Sequence, residues 1–175
     1  MRAERNTVAR ELIQVDQEFL MRAIELSRRS LEDEGKTPFG AIVVVRGEIV
    51  SEGTSSVVEL SDPTAHAEVM ALRGAGRKLG RHLLEDGVMY ASSEPCPMCL
   101  VACYWARLPR IVFGATSHDV AVNGFEDLQL YRELTYPAES RSLREDVAGG
   151  SIREQAVEVL QSWSEALPVP VVPKL

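Results

Sequence analysis

Apolar side chains recur at helical spacing over residues 16–34. Phe19, Leu20, Ala23, Ile24, Ser27 and Leu31 fall on one stripe, and Gly35 ends it. The period then changes. Residues 39–46 and 48–54 are rich in β-branched side chains and meet at Gly47, which reads as a hairpin. The string SDPT at 61–64 opens a helix, with Asp62 as its cap and Pro63 at the first helical position, running to about Leu79. Residues 87–93 form a strand. Pro97 begins a helix that stops before Pro109, and residues 110–114 form another strand. A polar turn leads into short helical segments over 126–134. Residues 142–147 read as a last short strand, and 151–167 as a helix with Ile152, Ala156, Val159, Leu160 and Trp163 on one face. A helix, a hairpin, and then strands alternating with helices make an α/β layered fold with a mixed sheet and helices on both faces.

Length and charge narrow this picture. At one domain per ~150 residues, 175 residues make one domain with short ends. We expect an N-terminal extension over 1–15, the domain over 16–167, and a proline-rich tail over 168–175. A composition of 45% hydrophobic and 26% charged residues is that of a globular chain. The longest apolar run, residues 39–45, is too short to cross a bilayer, and the N-terminus lacks a signal-peptide core. A net charge of −7 disfavours nucleic acid as a partner, because phosphate contacts need a cationic surface. All three cysteines, Cys96, Cys99 and Cys103, lie within eight residues. Such a cluster is a poor disulfide framework and a good metal or catalytic one, as befits a cytoplasmic protein.

The chemistry concentrates in two strings, His66-Ala67-Glu68 and Pro95-Cys96-Pro97-Met98-Cys99, each at a helix start. Cys96 and Cys99 are three residues apart, so both sulfurs leave one face of a first turn. The free N–H groups and dipole there favour thiolate, the form that binds zinc. With neutral His66 they supply three ligands and leave a fourth position for water, the mark of a catalytic zinc. Glu68 stands two residues from His66, and on a regular helix the two side chains diverge by about 200°. It is therefore better placed beside the metal-bound water as a proton shuttle than as a ligand. The rival is a structural Cys3His zinc that recruits Cys103 from the next turn; a small buried hydrophobe is the favoured role for Cys103. His82 and His118 have no motif partners.

These strings match the signature of zinc nucleobase deaminases. With PFGAIVV at 38–44, DPTAHAEVMALR at 62–73, SSEPCPMCL at 92–100, YWAR at 104–107 and GFEDLQLY at 124–131, the chain resembles the cytidine deaminase-like superfamily, and within it the small bacterial guanine deaminases. The resemblance implies a three-layer α/β/α sandwich with a mixed five-stranded sheet. It implies zinc on His66, Cys96 and Cys99, Glu68 as shuttle, and Asp119 as a second catalytic residue in proton movement. It implies substrate contacts at Phe39, Ala67 and Trp105. Where relatives usually carry an asparagine that touches the base, this chain has Ser55 and Ser56, which offer single hydrogen bonds in place of a paired amide contact. The implied reaction is hydrolysis of a free base, guanine first, to xanthine and ammonia. Cytosine, isocytosine or an aminotriazine stay open as substrates. A tRNA adenosine deaminase and a non-catalytic zinc-stabilised interaction domain are the other readings; the acidic charge opposes the first and Glu68 the second. The resemblance also implies a homodimer with exchanged C-terminal segments.

Overall fold

The computed structural model describes residues 12–172. Residues 1–11, most of the expected N-terminal extension, lie outside the described residues. The chain divides into two compact units, Met1–Thr135 and Tyr136–Leu175.

The first unit is built on β1 (Gly40–Val45), β2 (Glu48–Thr54), β3 (Gly87–Ser93) and β4 (Arg110–Ala115), in the order β2-β1-β3-β4. β1 runs antiparallel to both neighbours, and β4 runs parallel to β3, so the sheet is mixed. Arg46 and Gly47 both take positive φ in the tight turn between β1 and β2, the twist that a two-residue hairpin needs. β1 is buried on both faces, which is why its sequence is one apolar run rather than an alternation. Ala41, Val43 and Val45 face α3 (Ala67–Leu79) and its core of Ala67, Ala71 and Ala75. Ile42 and Val44 face the other way, against Ala23 and Leu26 of α1 (Gln14–Arg28). Where α1 and α3 come closest to the sheet, the strands need glycine. A Cβ on Gly40 would overlap the Ala23 carbonyl, and one on Gly53 would overlap the Ala67 carbonyl. Helices thus lie against both faces of the sheet, as the pattern led us to expect.

α1 is fixed to the far strands by a polar knot. Asp16 is buried. It accepts from Tyr90 Oη at 2.6 Å and from both terminal nitrogens of Arg110 at 3.0 and 2.6 Å. The Arg110 hydrogen bonds hold its carboxyl below the usual range.

Two expectations are corrected. The sheet has four strands among the described residues, not five. Residues 142–147, read as the last strand, are not one: they carry Arg144, Glu145 and Asp146, which pair locally with each other and with Arg141, and leave Leu143 and Val147 exposed. With its polar groups satisfied by near neighbours, this stretch offers no apolar face for a sheet to bury. The second correction is the start of α3. The Asp62 carboxylate accepts from the backbone N–H and hydroxyl of Thr64 at 2.8 and 2.6 Å, and the Ala65 N–H bonds the Asp62 carbonyl at 3.0 Å. Residues 62–65 are therefore a separate turn. The helix begins at Ala67, with His66 as its extended N-cap.

α4 (Pro97–Trp105) opens with Pro97 at its first position, as expected. Short helices α2 (Val57–Leu60), α5 (Ser117–Val122) and α6 (Asp127–Glu133) complete this unit. In the second unit α7 (Gly150–Glu165) is the principal element. No helix among the described residues is long and apolar enough to cross a membrane.

Candidate active site

The carboxyl ends of β2 and β3 open toward the N-termini of α3 and α4. His66 and Cys96 are the N-caps of those two helices, each with extended backbone. Cys99 lies one turn into α4 and is fully buried. One donor atom from each of the three lies within 4.8 Å of the others. Cys96 Sγ is 3.6 Å from His66 Nδ1. A tetrahedral zinc with bonds of about 2.3 Å to sulfur and 2.0 Å to nitrogen would hold such atoms about 3.6 Å apart, so the donors fit that ion. The sulfurs share charge unequally. A hydrogen bond from Cys99, helped by His66, lowers the Cys96 thiol, while the same bond and burial raise Cys99. His66 is raised, chiefly by its contact with Cys96.

Glu68 reaches this group because His66 precedes the helix. The 200° divergence of a regular helix does not apply between an extended N-cap and the second helical residue. Glu68 is buried, and burial pushes its carboxyl up to about 7.

His66, Cys96 and Glu68 line a cavity of about 200 Å³ together with Phe39, Ser55, Ser93, Phe125 and Asp127. Phe39 and Phe125 meet edge to face, with centroids 4.9 Å apart at 75°. The Ser55 hydroxyl is tied to Thr37 Oγ1 at 2.6 Å.

The other expected residues lie elsewhere. Asp119 caps α5: its carboxylate accepts from the Thr116 N–H at 2.8 Å and hydroxyl at 2.6 Å, and the hydroxyl bond lowers its pKa. It lines an adjoining cavity of about 430 Å³ that shares Phe39, Ser93 and Phe125 with the first. Ser56 is buried, with its N–H on the Ala65 carbonyl, and Ala67 is fully buried in the core; neither lines the smaller cavity. Trp105 is 75% exposed at the end of α4 and lines neither cavity. Cys103 packs in the α3-side core, where burial raises its thiol to about 12.

Sequence reasoning gave no role to Phe125 or Asp127. Both sit at the start of α6, which the Tyr131 hydroxyl anchors by donating to the Pro95 carbonyl at 2.7 Å. The string GFED carried both, but no periodicity marks a residue that reaches a site some thirty positions away.

Two cysteine sulfurs and an imidazole beside a buried carboxylate of raised pKa make a zinc-dependent hydrolytic centre. Residues 13–115 match the model of the cytidine and deoxycytidylate deaminase zinc-binding region, and the chain belongs to that family. It is a hydrolytic C–N deaminase. It is 48% identical over 126 residues to guanine deaminase of Bacillus subtilis, covering 71% of this chain and 80% of that one. A tRNA-specific adenosine deaminase of Aquifex aeolicus is 43% identical over 97 residues, covering 55% and 64%. The X-ray structure of the Bacillus subtilis guanine deaminase superposes with a TM-score of 0.81 at 37% identity, covering 89% of this chain and 97% of that one. A solved structure holding 8-azaguanine superposes with a TM-score of 0.61 at 30% identity, covering 85% and 83%.

Proposed function

We propose that this protein deaminates guanine, taken as the free base, to xanthine and ammonia. The observation that carries the reading is the single small cavity in which His66, Cys96, Glu68 and the Phe39–Phe125 pair converge. Its ~200 Å³ is below the ~300–1,000 Å³ of sites for drug-sized ligands and suits one planar base. The guanine deaminase likeness and the 8-azaguanine-bound neighbour support the choice of ring.

His66, Cys96 and Cys99 would hold the zinc, which supplies a water activated at neutral pH. Phe39 and Phe125 offer flat walls for the ring. Ser55 offers one hydroxyl to its polar edge. Glu68 moves the protons: it takes one as oxygen adds to the ring carbon and gives it to the ring nitrogen, then takes the second from the added hydroxyl and passes it to the amine, which leaves as ammonia while the carbonyl forms. A pKa of about 7 suits a group that must both accept and donate near neutrality. Asp119 lines the adjoining cavity and not the small one, so a part in proton movement requires a route between the two.

The setting we propose is cytoplasmic, where free cysteines stay reduced and metal-bound. The assembly we propose is a homodimer. Ammonia release from guanine, cytosine, isocytosine, an aminotriazine, adenine and tRNA tests the substrate. Guanine should lead. A tRNA substrate preferred over every free base overturns the reading.

A further inference from the structure

Two hydroxyls stand side by side in the wall of the small cavity. Thr37 and Ser55 both line it, and their oxygens are 2.6 Å apart. Neither hydroxyl has another hydrogen-bond partner among the described residues. The backbone braces them. Ser55 follows the last residue of β2, with its N–H on the Phe39 carbonyl at 3.2 Å, and the Phe39 N–H closes on the Thr37 carbonyl at 2.7 Å. That second bond spans three residues centred on Pro38, a tight turn whose φ proline sets in advance. Ser55 is buried, so its hydroxyl has little water to turn to.

The hydrogens decide what this wall can do. Two hydroxyls carry two hydrogens. The bond between them uses one and leaves one free, while lone pairs remain on both oxygens. The couple can therefore donate one hydrogen bond into the cavity or accept one, and the bond inside it can run in either direction. When one hydroxyl accepts from the other, its own outward O–H becomes a stronger donor. Such a couple suits a ring nitrogen that exists both bare and hydrogen-bearing. The five-membered ring of guanine has two, N7 and N9, which exchange one hydrogen between tautomers. The carbonyl oxygen is always an acceptor and needs one hydroxyl, not two. The amine-bearing carbon and the nitrogen beside it are engaged by Glu68 and the metal donors in the proposed reaction.

Resting on the guanine reading, we infer that Thr37 is a specificity-determining residue: with Ser55 it forms a hydroxyl couple that hydrogen-bonds one nitrogen of the five-membered ring, in whichever tautomer the base arrives, and disfavours rings that carry C–H at that position.

The test is kcat/KM of the zinc-loaded full chain for guanine, 7-deazaguanine and 9-deazaguanine, in the wild type, Thr37→Val and Thr37→Ser, with zinc content and melting temperature measured alongside. One of the two analogues replaces the contacted nitrogen by C–H. On it the wild type should lose about fivefold to hundredfold, the range for leaving one buried polar group unpaired. The other analogue keeps the contact and should stay close to guanine. Thr37→Val should weaken guanine by a similar factor, close the gap between the two analogues and retain zinc. Thr37→Ser, which keeps the hydroxyl, should keep the gap. The dissociation constant of guanine from zinc-loaded Glu68→Gln should rise by the same factor when Thr37→Val is added, a readout that does not rely on turnover. Two analogues that behave alike in the wild type overturn the assignment even if the variants do not fold. A Thr37→Val protein that loses equally on all three rings, with a lowered melting temperature, shows a structural hydroxyl and overturns it too; guanine stands as substrate in both cases. Turnover of isocytosine or cytosine without turnover of guanine overturns the guanine reading and this assignment with it.

Discussion

At the scale of single residues, the three cysteines separate by what surrounds each sulfur. Cys96 and Cys99 share a hydrogen bond beside His66, whereas Cys103 lies among alanines and aliphatic side chains. We therefore expect Cys96→Ser and Cys99→Ser to carry little zinc by metal analysis, and Cys103→Ala to carry a full complement. Zinc loss in Cys103→Ala would bring back the structural Cys3His rival. Glu68→Gln removes the shuttle while keeping shape and donors. It should retain zinc and the melting temperature of the wild type yet lose at least ~10²-fold in kcat, the scale of general acid–base catalysis. Near-normal turnover in that variant contradicts the role. These residues were legible in the sequence because metal ligation needs particular residue types at short spacings, and both strings are local. Asp127 and Phe125 were not, since their approach to the cavity depends on the long-range packing of α6. Trp105 was placed by likeness, and the fold leaves it on the surface of the unit.

At the scale of elements, periodicity located the β1–β2 hairpin, α3, β3, α4, β4 and α7 to within a few residues, because each buries a face of characteristic period; it found α1 too, but ran it to residue 34 where the α-helix stops at Arg28 and a single 3-10 turn follows. It failed where polar side chains rewrote local structure. Asp62 formed a turn of its own and delayed α3, and the charged run at 144–146 closed on itself where a strand was expected. The Asp16–Tyr90–Arg110 knot was equally invisible, since its members are 74 and 94 positions apart. It carries a pH prediction. The folded-state pKa of Asp16 is lowered, so its contribution is present above the unfolded value of about 4 and is lost as pH falls through the folded value. Asp16→Asn should destabilise the protein by about 1.5–3 kcal/mol near neutrality, the range for a hydrogen bond to a charged group. The gap in melting temperature from the wild type should narrow as pH drops below about 4. A gap that stays constant down to pH 2 would show that Asp16 acts by shape and not by charge.

At the scale of the whole molecule, the surface carries an apolar stripe in search of a partner. Ile152, Val159, Leu160 and Trp163, the face of α7 read from the sequence, are each 64–68% exposed. An amphipathic helix gains little by folding unless that stripe is covered, and a contiguous exposed stripe of this kind marks an association surface. A second copy of the chain is the economical occupant, because a two-fold axis covers both stripes at once and C2 dimers are the commonest oligomers. Light scattering at micromolar concentration should give twice the chain mass. Replacing both Leu160 and Trp163 by glutamate puts two charges on each stripe, four across the dimer, and should shift the protein to monomer while zinc content is unchanged, because no zinc donor lies on α7. The activity of that monomer decides what the association is for. If kcat/KM survives, the dimer protects apolar surface and each chain carries a whole site. If it falls with zinc still bound, the partner contributes to the site, as the exchanged C-terminal segments implied by the family resemblance require. A wild type that is monomeric at these concentrations removes both possibilities and leaves the α7 stripe for a different partner.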